Sequence, residues 1–137
     1  MDLEFSDEEA QLRDSVRDIV DGICPATVVR AIHEGTGDAV GVWRQMVELD
    51  WPGLTVPAEH GGVGMGFMEL AIVADQLGRA CVPGPFLATV TQFVPAIREL
   101  GGEAGGHWLA EVAAGRLTGT LALAEGGHRQ VAARRHQ

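Results

Sequence analysis

The glycine-rich segment 61–66 is the part of the chain that most invites a chemical role. It reads Gly-Gly-Val-Gly-Met-Gly, a composition typical of loops that hold nucleotide phosphates. A dinucleotide-binding loop follows a hydrophobic strand, but the lead-in here is short and interrupted by Pro57. A Walker A loop needs a lysine, and the chain has none. We therefore expect an ordinary loop that leads into a helix.

The histidine and carboxylate side chains form no recognisable catalytic or metal-binding pattern. No pair of the five histidines has the spacing of a metal site. Glu59 and His60 are adjacent and point apart, and Glu69 and Asp75 fall on different faces of a predicted helix. A G-x-S-x-G nucleophile motif is absent. The sequence therefore assigns no catalytic residue and no metal ligand.

A broad apolar stripe runs through segment 86–100 at helical spacing. Such a stripe is typical of a helix face in a protein core. The alternative is one wall of a fatty-acyl pocket, because Thr89 and Thr91 add polar points to an otherwise apolar helix. Both interpretations stay open. The stripe consists of Phe86, Leu87, Val90, Phe93, Val94 and Ile97.

Capping signals and hydrophobic periodicity predict about six helices. Ser6 and Glu9 form a capping box for a first helix over 7–21. Leu54 to Pro57 is expected to be extended, because Pro57 disfavours helical backbone before it. The other predicted helices are a short one capped by Thr27, one capped by Asp38, and helices over 66–78, 86–100 (bent by Pro95) and 103–114.

Residues 116–125 alternate in polarity and predict one strand, for which no partner strand is apparent. A single strand leaves backbone groups unsatisfied, which indicates that part of a fold is missing. We therefore predict an all-α fold of about six helices with a short β-strand stub. The expected organisation is a helical domain over 1–115, the first strand of a truncated β-domain over 116–125, and a basic tail over 126–137.

Charge and composition exclude several classes of partner. Residues 1–125 hold all 19 acidic residues and seven arginines, which argues against nucleic acid, whereas residues 126–137 carry three arginines and no acid. No apolar run is long enough to cross a membrane, and the acidic start does not resemble a secretion signal.

The two cysteines, Cys24 and Cys81, lie far apart in the sequence. They are expected to be buried free thiols of a cytoplasmic protein, with a disulfide as the alternative.

An ordered series of motifs over about residues 3–125 resembles the N-terminal helical domain of the acyl-CoA dehydrogenase family. Its central piece is Trp51-Pro-Gly-Leu-Thr-Val-Pro-Ala-Glu-His-Gly-Gly62. The other pieces, in order, are Phe5-Ser-Asp-Glu-Glu, Trp43, Leu49-Asp50, Glu69, Leu77-Gly78-Arg79, Pro83-Gly84-Pro85-Phe86 with Thr89, Trp108-Leu109, Gly115 and Leu121-Ala-Leu-Ala-Glu125.

The resemblance implies a flavoenzyme that oxidises acyl-CoA thioesters to trans-2-enoyl-CoA. In the family a glutamate removes the α-proton, FAD takes the β-hydride, and an electron-transfer flavoprotein accepts the electrons. The flavin lies between a β-domain and a C-terminal helical domain, which usually carries the base. The resemblance assigns flavin contacts to Leu123, Ala124 and Glu125, with alanine where many members have a hydroxyl residue. It assigns acyl-chain contacts to Phe86, Thr89, Val90 and Phe93.

Beyond Glu125 the resemblance ends, and an arginine- and alanine-rich tail follows. The chain lacks lysine, asparagine and tyrosine, which indicates GC-rich DNA, and a shifted frame in such DNA tends to give a tail of this kind. We therefore expect a truncated or frameshifted form of a longer enzyme, inactive by itself. The alternatives are a non-catalytic helical module that docks on a dehydrogenase subunit, as a homo- or hetero-oligomer, and a non-functional gene fragment.

Overall fold

Six α-helices account for about half of the chain in a computed structural model, which describes residues 5–123 and 129–135. A π-helical turn, Ala88–Phe93, leads directly into the fifth helix, and 3₁₀ turns occupy Trp51–Gly53 and Ala58–His60. The predicted fold of about six helices with a short strand is confirmed. The elements are α1 (Asp7–Ile23), α2 (Ala26–His33), α3 (Ala39–Glu48), α4 (Phe67–Arg79), α5 (Val94–Leu100), α6 (Gly102–Ala113), β1 (Leu117–Leu123) and β2 (Arg129–Arg135).

The described residues group into two compact units. The first unit contains residues 5–43 and 66–83, and the second contains residues 44–65, 84–123 and 129–135. Helix α3 contributes residues to both. In the described part of the chain, no helix has the length and apolarity needed to cross a membrane.

In the first unit, α1 packs against α4. Helix α1 begins at the predicted capping box: the Ser6 hydroxyl accepts the Glu9 N–H at 3.2 Å, and the Glu9 carboxylate accepts the Ser6 N–H at 2.7 Å. These bonds satisfy donors that a helix start would otherwise leave unpaired. The apolar faces of the two helices are buried through Val16, Val20, Leu70, Val73 and Leu77.

A buried glutamine ties the same two helices together. Gln76 of α4 is 1 % exposed, and its side-chain carbonyl accepts from Nε of Arg17 at 3.1 Å and from Nε of Arg79 at 3.0 Å. Arg79 in turn forms an ion pair with Asp21 of α1. The polar group is therefore buried with its hydrogen-bonding capacity used, as stability requires.

The local geometry tests the predicted helix caps at Asp38 and Thr27 and the predicted extended segment at Leu54. The Asp38 carboxylate accepts the Gly41 N–H at 2.8 Å, so its predicted capping role is confirmed. The predicted Thr27 cap is wrong, because α2 begins at Ala26 behind Pro25 and has no side-chain cap. The extended start at Leu54 is also wrong: its φ of −50° and ψ of −47° are helical, and the chain turns there.

The cysteines differ in environment. Both thiols are free, as predicted, but only Cys24 is buried, and Cys81 is exposed. The prediction of burial is therefore wrong for Cys81. Burial raises the pKa of the Cys24 thiol, because the thiolate is poorly solvated there.

The second unit has its apolar core where the π-helical turn, α5, α6 and β1 meet. Residues from all four elements are almost fully buried, which gives this unit the close packing that defines a core. The partly buried Ile97 and Trp108 extend the cluster at its edge. The core residues are Val56, Phe93, Val94, Leu109, Val112, Ala113 and Leu117.

Strand β1 is paired, contrary to the expectation that it lacks a partner. It forms an antiparallel ladder with β2, in which Leu117 lies opposite Arg135 and Leu123 lies opposite Arg129. The partner comes from the segment that we treated as a tail because of its composition. Alternation in that segment is weak, so the sequence pattern did not indicate a strand.

Candidate functional site

The helical segment 86–100 contains a π-helical turn that the sequence analysis missed. The Val94 N–H bonds to the carbonyl of Thr89, five residues earlier, and Pro95 follows. Proline has no N–H, and its ring would clash with the carbonyl four residues before it in an ordinary α-helix. A wider turn at this place relieves that clash, and such turns are frequent at functional sites.

Thr91 adds a second local bond to this turn. Its hydroxyl donates to the Leu87 carbonyl at 2.6 Å, a pattern that bends helices. Leu87 and Thr91 lie on the outer side of the segment, and the Leu87 side chain is 48 % exposed. Leu87 and Thr91 therefore belong to the accessible surface of the segment.

Thr89 fastens the π-helical turn to β1. Its hydroxyl accepts the Gly119 N–H at 3.2 Å and donates to the Gly119 carbonyl at 3.3 Å. Thr89 is fully buried, so these bonds replace the water that the hydroxyl loses on folding. A Cβ at Gly119 would lie 2.5 Å from the Phe93 ring, so only glycine allows the ring to rest on the strand.

The four residues that the resemblance assigns to the acyl chain share one environment. Phe86, Thr89, Val90 and Phe93 are each 3 % exposed or less. Phe93 belongs to the core of the second unit. The structure therefore brings the four together on the inner side of the segment, whereas Leu87 and Thr91, to which the resemblance assigns no acyl contact, are exposed.

The flavin-contact prediction concerns the end of β1. The backbone of Leu123 is the last position of that strand, while Ala124 and Glu125 lie outside the described residues. In the part of the chain that is described, every buried side-chain nitrogen or oxygen has a hydrogen-bond partner. The described residues thus leave no buried polar side-chain atom unpaired, and of the three flavin-contact positions they include only the backbone of Leu123.

The segment 51–66 folds back on itself and is held by backbone bonds. The N–H groups of Val63 and Gly64 bond to the carbonyls of Gly53 and Val56, both at 2.9 Å. A Cβ on Gly62 would lie 2.0 Å from the Val56 carbonyl oxygen, so the loop can close only over glycine. Because the glycines serve this closure, the geometry agrees with the expectation of an ordinary loop.

His60 and Glu69 each contact a glycine of their own unit. The His60 ring packs against Gly106 of α6. A Cβ added at Gly106 would lie only 2.7 Å from the Cε1 atom of the ring. Glu69 accepts the Gly66 N–H at 3.0 Å at the start of α4. Over residues 5–123 and 129–135, no three histidine, cysteine, aspartate or glutamate side chains gather into a group able to hold a metal ion.

Comparisons with known proteins agree with the motif series. A family model described as the acyl-CoA dehydrogenase N-terminal domain matches residues 6–116. The chain is 33% identical over 119 residues to the acyl-CoA dehydrogenase IpdE2 of Mycobacterium tuberculosis, covering 85% of this chain and 37% of that protein. The chain thus spans little more than a third of this relative's length.

Two solved structures share the fold. A crystal structure of the ChsE4–ChsE5 complex from Mycobacterium tuberculosis matches with a TM-score of 0.70 and 26% identity, covering 84% of this chain and 30% of that one. A variant of the steroid ACAD Tcur3481–Tcur3483 matches with a TM-score of 0.72 and 27% identity, covering 89% and 34%. The extent of the family match decides the assignment, and the chain belongs to the acyl-CoA dehydrogenase family through that family's N-terminal domain.

Proposed function

We propose that this chain serves as the N-terminal helical domain of an FAD-dependent acyl-CoA dehydrogenase, which oxidises acyl-CoA thioesters to trans-2-enoyl-CoA. The pair of bonds between Thr89 and Gly119 carries the proposal. By resemblance, segment 86–100 faces the acyl chain and the end of β1 faces the flavin. A buried threonine that bonds the two elements together would hold the acyl wall at a fixed distance from the flavin.

The acyl wall that we propose has two layers. Phe86, Thr89, Val90 and Phe93 form the inner layer, where their burial fixes the shape of the segment. Leu87 and Thr91 are exposed and would meet the acyl chain directly. This division gives the four assigned residues a role in shaping the pocket from behind.

The flavin and the catalytic base come, in this proposal, from domains outside the matched residues 6–116. Leu123, Ala124 and Glu125 would approach the flavin edge once those domains are in place. FAD, when bound there, would accept the hydride. Since this proposal takes the flavin site and the base from those other domains, we expect no activity from this chain alone.

A second dehydrogenase subunit is the partner that we infer. One structural relative is a complex of ChsE4 with ChsE5, and the other joins Tcur3481 with Tcur3483. Both support a complex that contains two different dehydrogenase subunits. An electron-transfer flavoprotein would be the acceptor, as the family resemblance implies.

The rival proposal is a non-catalytic helical module that docks on a dehydrogenase subunit, and the third is a non-functional fragment. Co-expression with a full-length dehydrogenase subunit separates the three. Our proposal expects a complex whose activity on acyl-CoA needs this chain. A docking module gives a complex with activity that is independent of it, and a fragment gives no complex.

The same complex allows the substrate class to be tested. The complex is assayed with CoA thioesters of straight-chain, branched and steroid side-chain acids. The steroid substrate is included because one structural relative is a steroid ACAD. Replacement of Leu87 by alanine should alter the relative kcat/KM of these substrates if the outer layer meets the acyl chain. Arg98, exposed farther along the same segment, provides the control variant Arg98→Ala. If Leu87→Ala and Arg98→Ala show the same relative kcat/KM values across these substrates, the outer-layer assignment is contradicted.

A further inference from the structure

A cavity of about 530 Å³ lies in the first unit, and its lining includes none of the residues assigned to the acyl chain. It is bounded by the end of α1, one face of α2 and the end of α4. Its volume falls within the range of about 300–1,000 Å³ that small-molecule sites occupy. Its wall includes Cys24, Val29, Arg30, His33, Arg79 and Cys81.

Helix α2 presents an uncovered face to this cavity. Ala26, Val29, Arg30 and His33 lie at spacings of three and four, which places them on one side of the helix. All four line the cavity, and no residue of α2 is buried. This face carries both basic side chains of the helix and shares Val29 with its apolar side, so it offers an occupant a charged group beside an apolar one.

The charge at the cavity is opposite to that of its surroundings. Residues 1–43 and 66–83 hold twelve acidic residues and four arginines, whereas the cavity is lined by two of those arginines and one acid, Asp21. Arg79 is already engaged by Asp21 and Gln76. The structure records no ion pair or hydrogen bond from the side chains of Arg30 and His33 to other described residues. An unpaired guanidinium above an apolar wall favours an anion with an apolar body.

We propose that this cavity binds a small amphipathic carboxylate, such as a medium-chain fatty acid anion. The carboxylate would pair with Arg30, with His33 beside it, and the hydrocarbon chain would lie along Val29. The exposed Cys81 would border the occupied cavity, whereas Cys24 lies buried in its wall. The site shares no lining residue with segment 86–100, and it does not depend on the proposed enzymatic function.

Sodium octanoate, used below its micelle concentration with the full chain, tests the proposal by NMR titration of backbone amides. We expect saturable shifts at Val29, Arg30 and Cys81. Arg30→Gln should raise the dissociation constant of octanoate about fivefold or more, because a charge-assisted bond is lost. Arg13→Gln removes the same charge from a partly exposed position of α1 that does not line the cavity, and it should leave the affinity unchanged.

Alkylation of Cys81 by the neutral reagent iodoacetamide gives a second readout. Octanoate should slow it in the parent chain and in Arg13→Gln, and should fail to do so in Arg30→Gln at the same concentration. Three results would overturn the proposal: shifts confined to residues 86–93, equal affinity in both variants, or inorganic phosphate binding as tightly as octanoate. The last would show that the apolar part of the ligand contributes nothing.

Discussion

The hydroxyl of Thr89 bonds twice to one residue, accepting the Gly119 N–H at 3.2 Å and donating to the Gly119 carbonyl at 3.3 Å. One side chain thereby sets the position of the helical segment 86–100 along β1. The residues are 30 positions apart, so the contact joins two elements that the sequence separates. In our proposal the same contact relates the acyl side of the site to the flavin side.

Replacement of Thr89 by valine tests the strength of this link. Valine keeps the shape but cannot bond to Gly119, so we expect the free energy of unfolding to fall by about 1–3 kcal/mol. Urea denaturation of both chains gives the difference.

Thr120→Val is the matched control, because the Thr120 hydroxyl bonds to the Gln92 side chain at 3.1 Å in an exposed place. A change within about 0.5 kcal/mol is expected there. Equal losses at the two threonines would show that the Thr89 bonds are no more important than a surface contact.

The close approach of Gly119 to Phe93 predicts that Gly119→Ala is destabilising. The new methyl would lie 2.5 Å from the ring, and overpacking of this kind costs about 1–3 kcal/mol. The pair Gly119→Ala with Phe93→Leu should lose less stability than the sum of the single changes, as thermal unfolding can measure. Strict additivity would mean that the ring and the strand do not limit each other.

Two neighbouring glycines of the folded-back segment should respond differently to alanine. At Gly62 the methyl meets the backbone of Val56, which cannot move aside, so we expect a loss of about 3 kcal/mol or more. Gly61 has open space but a φ of +79°, so alanine there should cost about 1 kcal/mol. Circular dichroism melting curves give the ranking, and a larger loss at Gly61 would contradict the packing argument.

The buried Cys24 predicts a loss of stability in alkaline solution. Its pKa is raised in the folded chain above its ordinary value of 9.0, so the folded state holds the proton more tightly than the unfolded state. The associated stability is complete below about pH 9 and falls as pH rises toward the folded pKa. Urea unfolding at several alkaline pH values should show this decline.

Cys24→Ser should reduce the alkaline decline, and Cys81→Ser, at the exposed thiol, should preserve it. A decline that persists unchanged in Cys24→Ser would assign it to another group.

Features decided by nearby residues were predictable from the sequence. The Ser6–Glu9 capping box and the Asp38 cap depend on residues three positions apart, and both were identified correctly. The π-helical turn was missed because Pro95 signals a disturbed helix without saying how the backbone adjusts.

Features decided by distant residues were not predictable in the same way. The bond between Thr89 and Gly119, the glycine needed under Phe93, and the pairing of β1 with β2 all depend on tertiary contacts. Local patterns indicate which residues are apolar, but they do not show which side of segment 86–100 the core will use. For that reason the stripe in segment 86–100 left both interpretations open, core face or acyl-pocket wall.

The visible absorbance of this chain, alone and in complex with a full-length dehydrogenase subunit, tests the central claim most directly. We predict that the purified chain, incubated with FAD and then desalted, shows no flavin band, whereas the complex shows one that bleaches when acyl-CoA is added. A flavin band retained by the chain alone would contradict the claim that its own residues do not hold the cofactor. A complex whose band does not respond to acyl-CoA would contradict its proposed part in acyl-CoA oxidation.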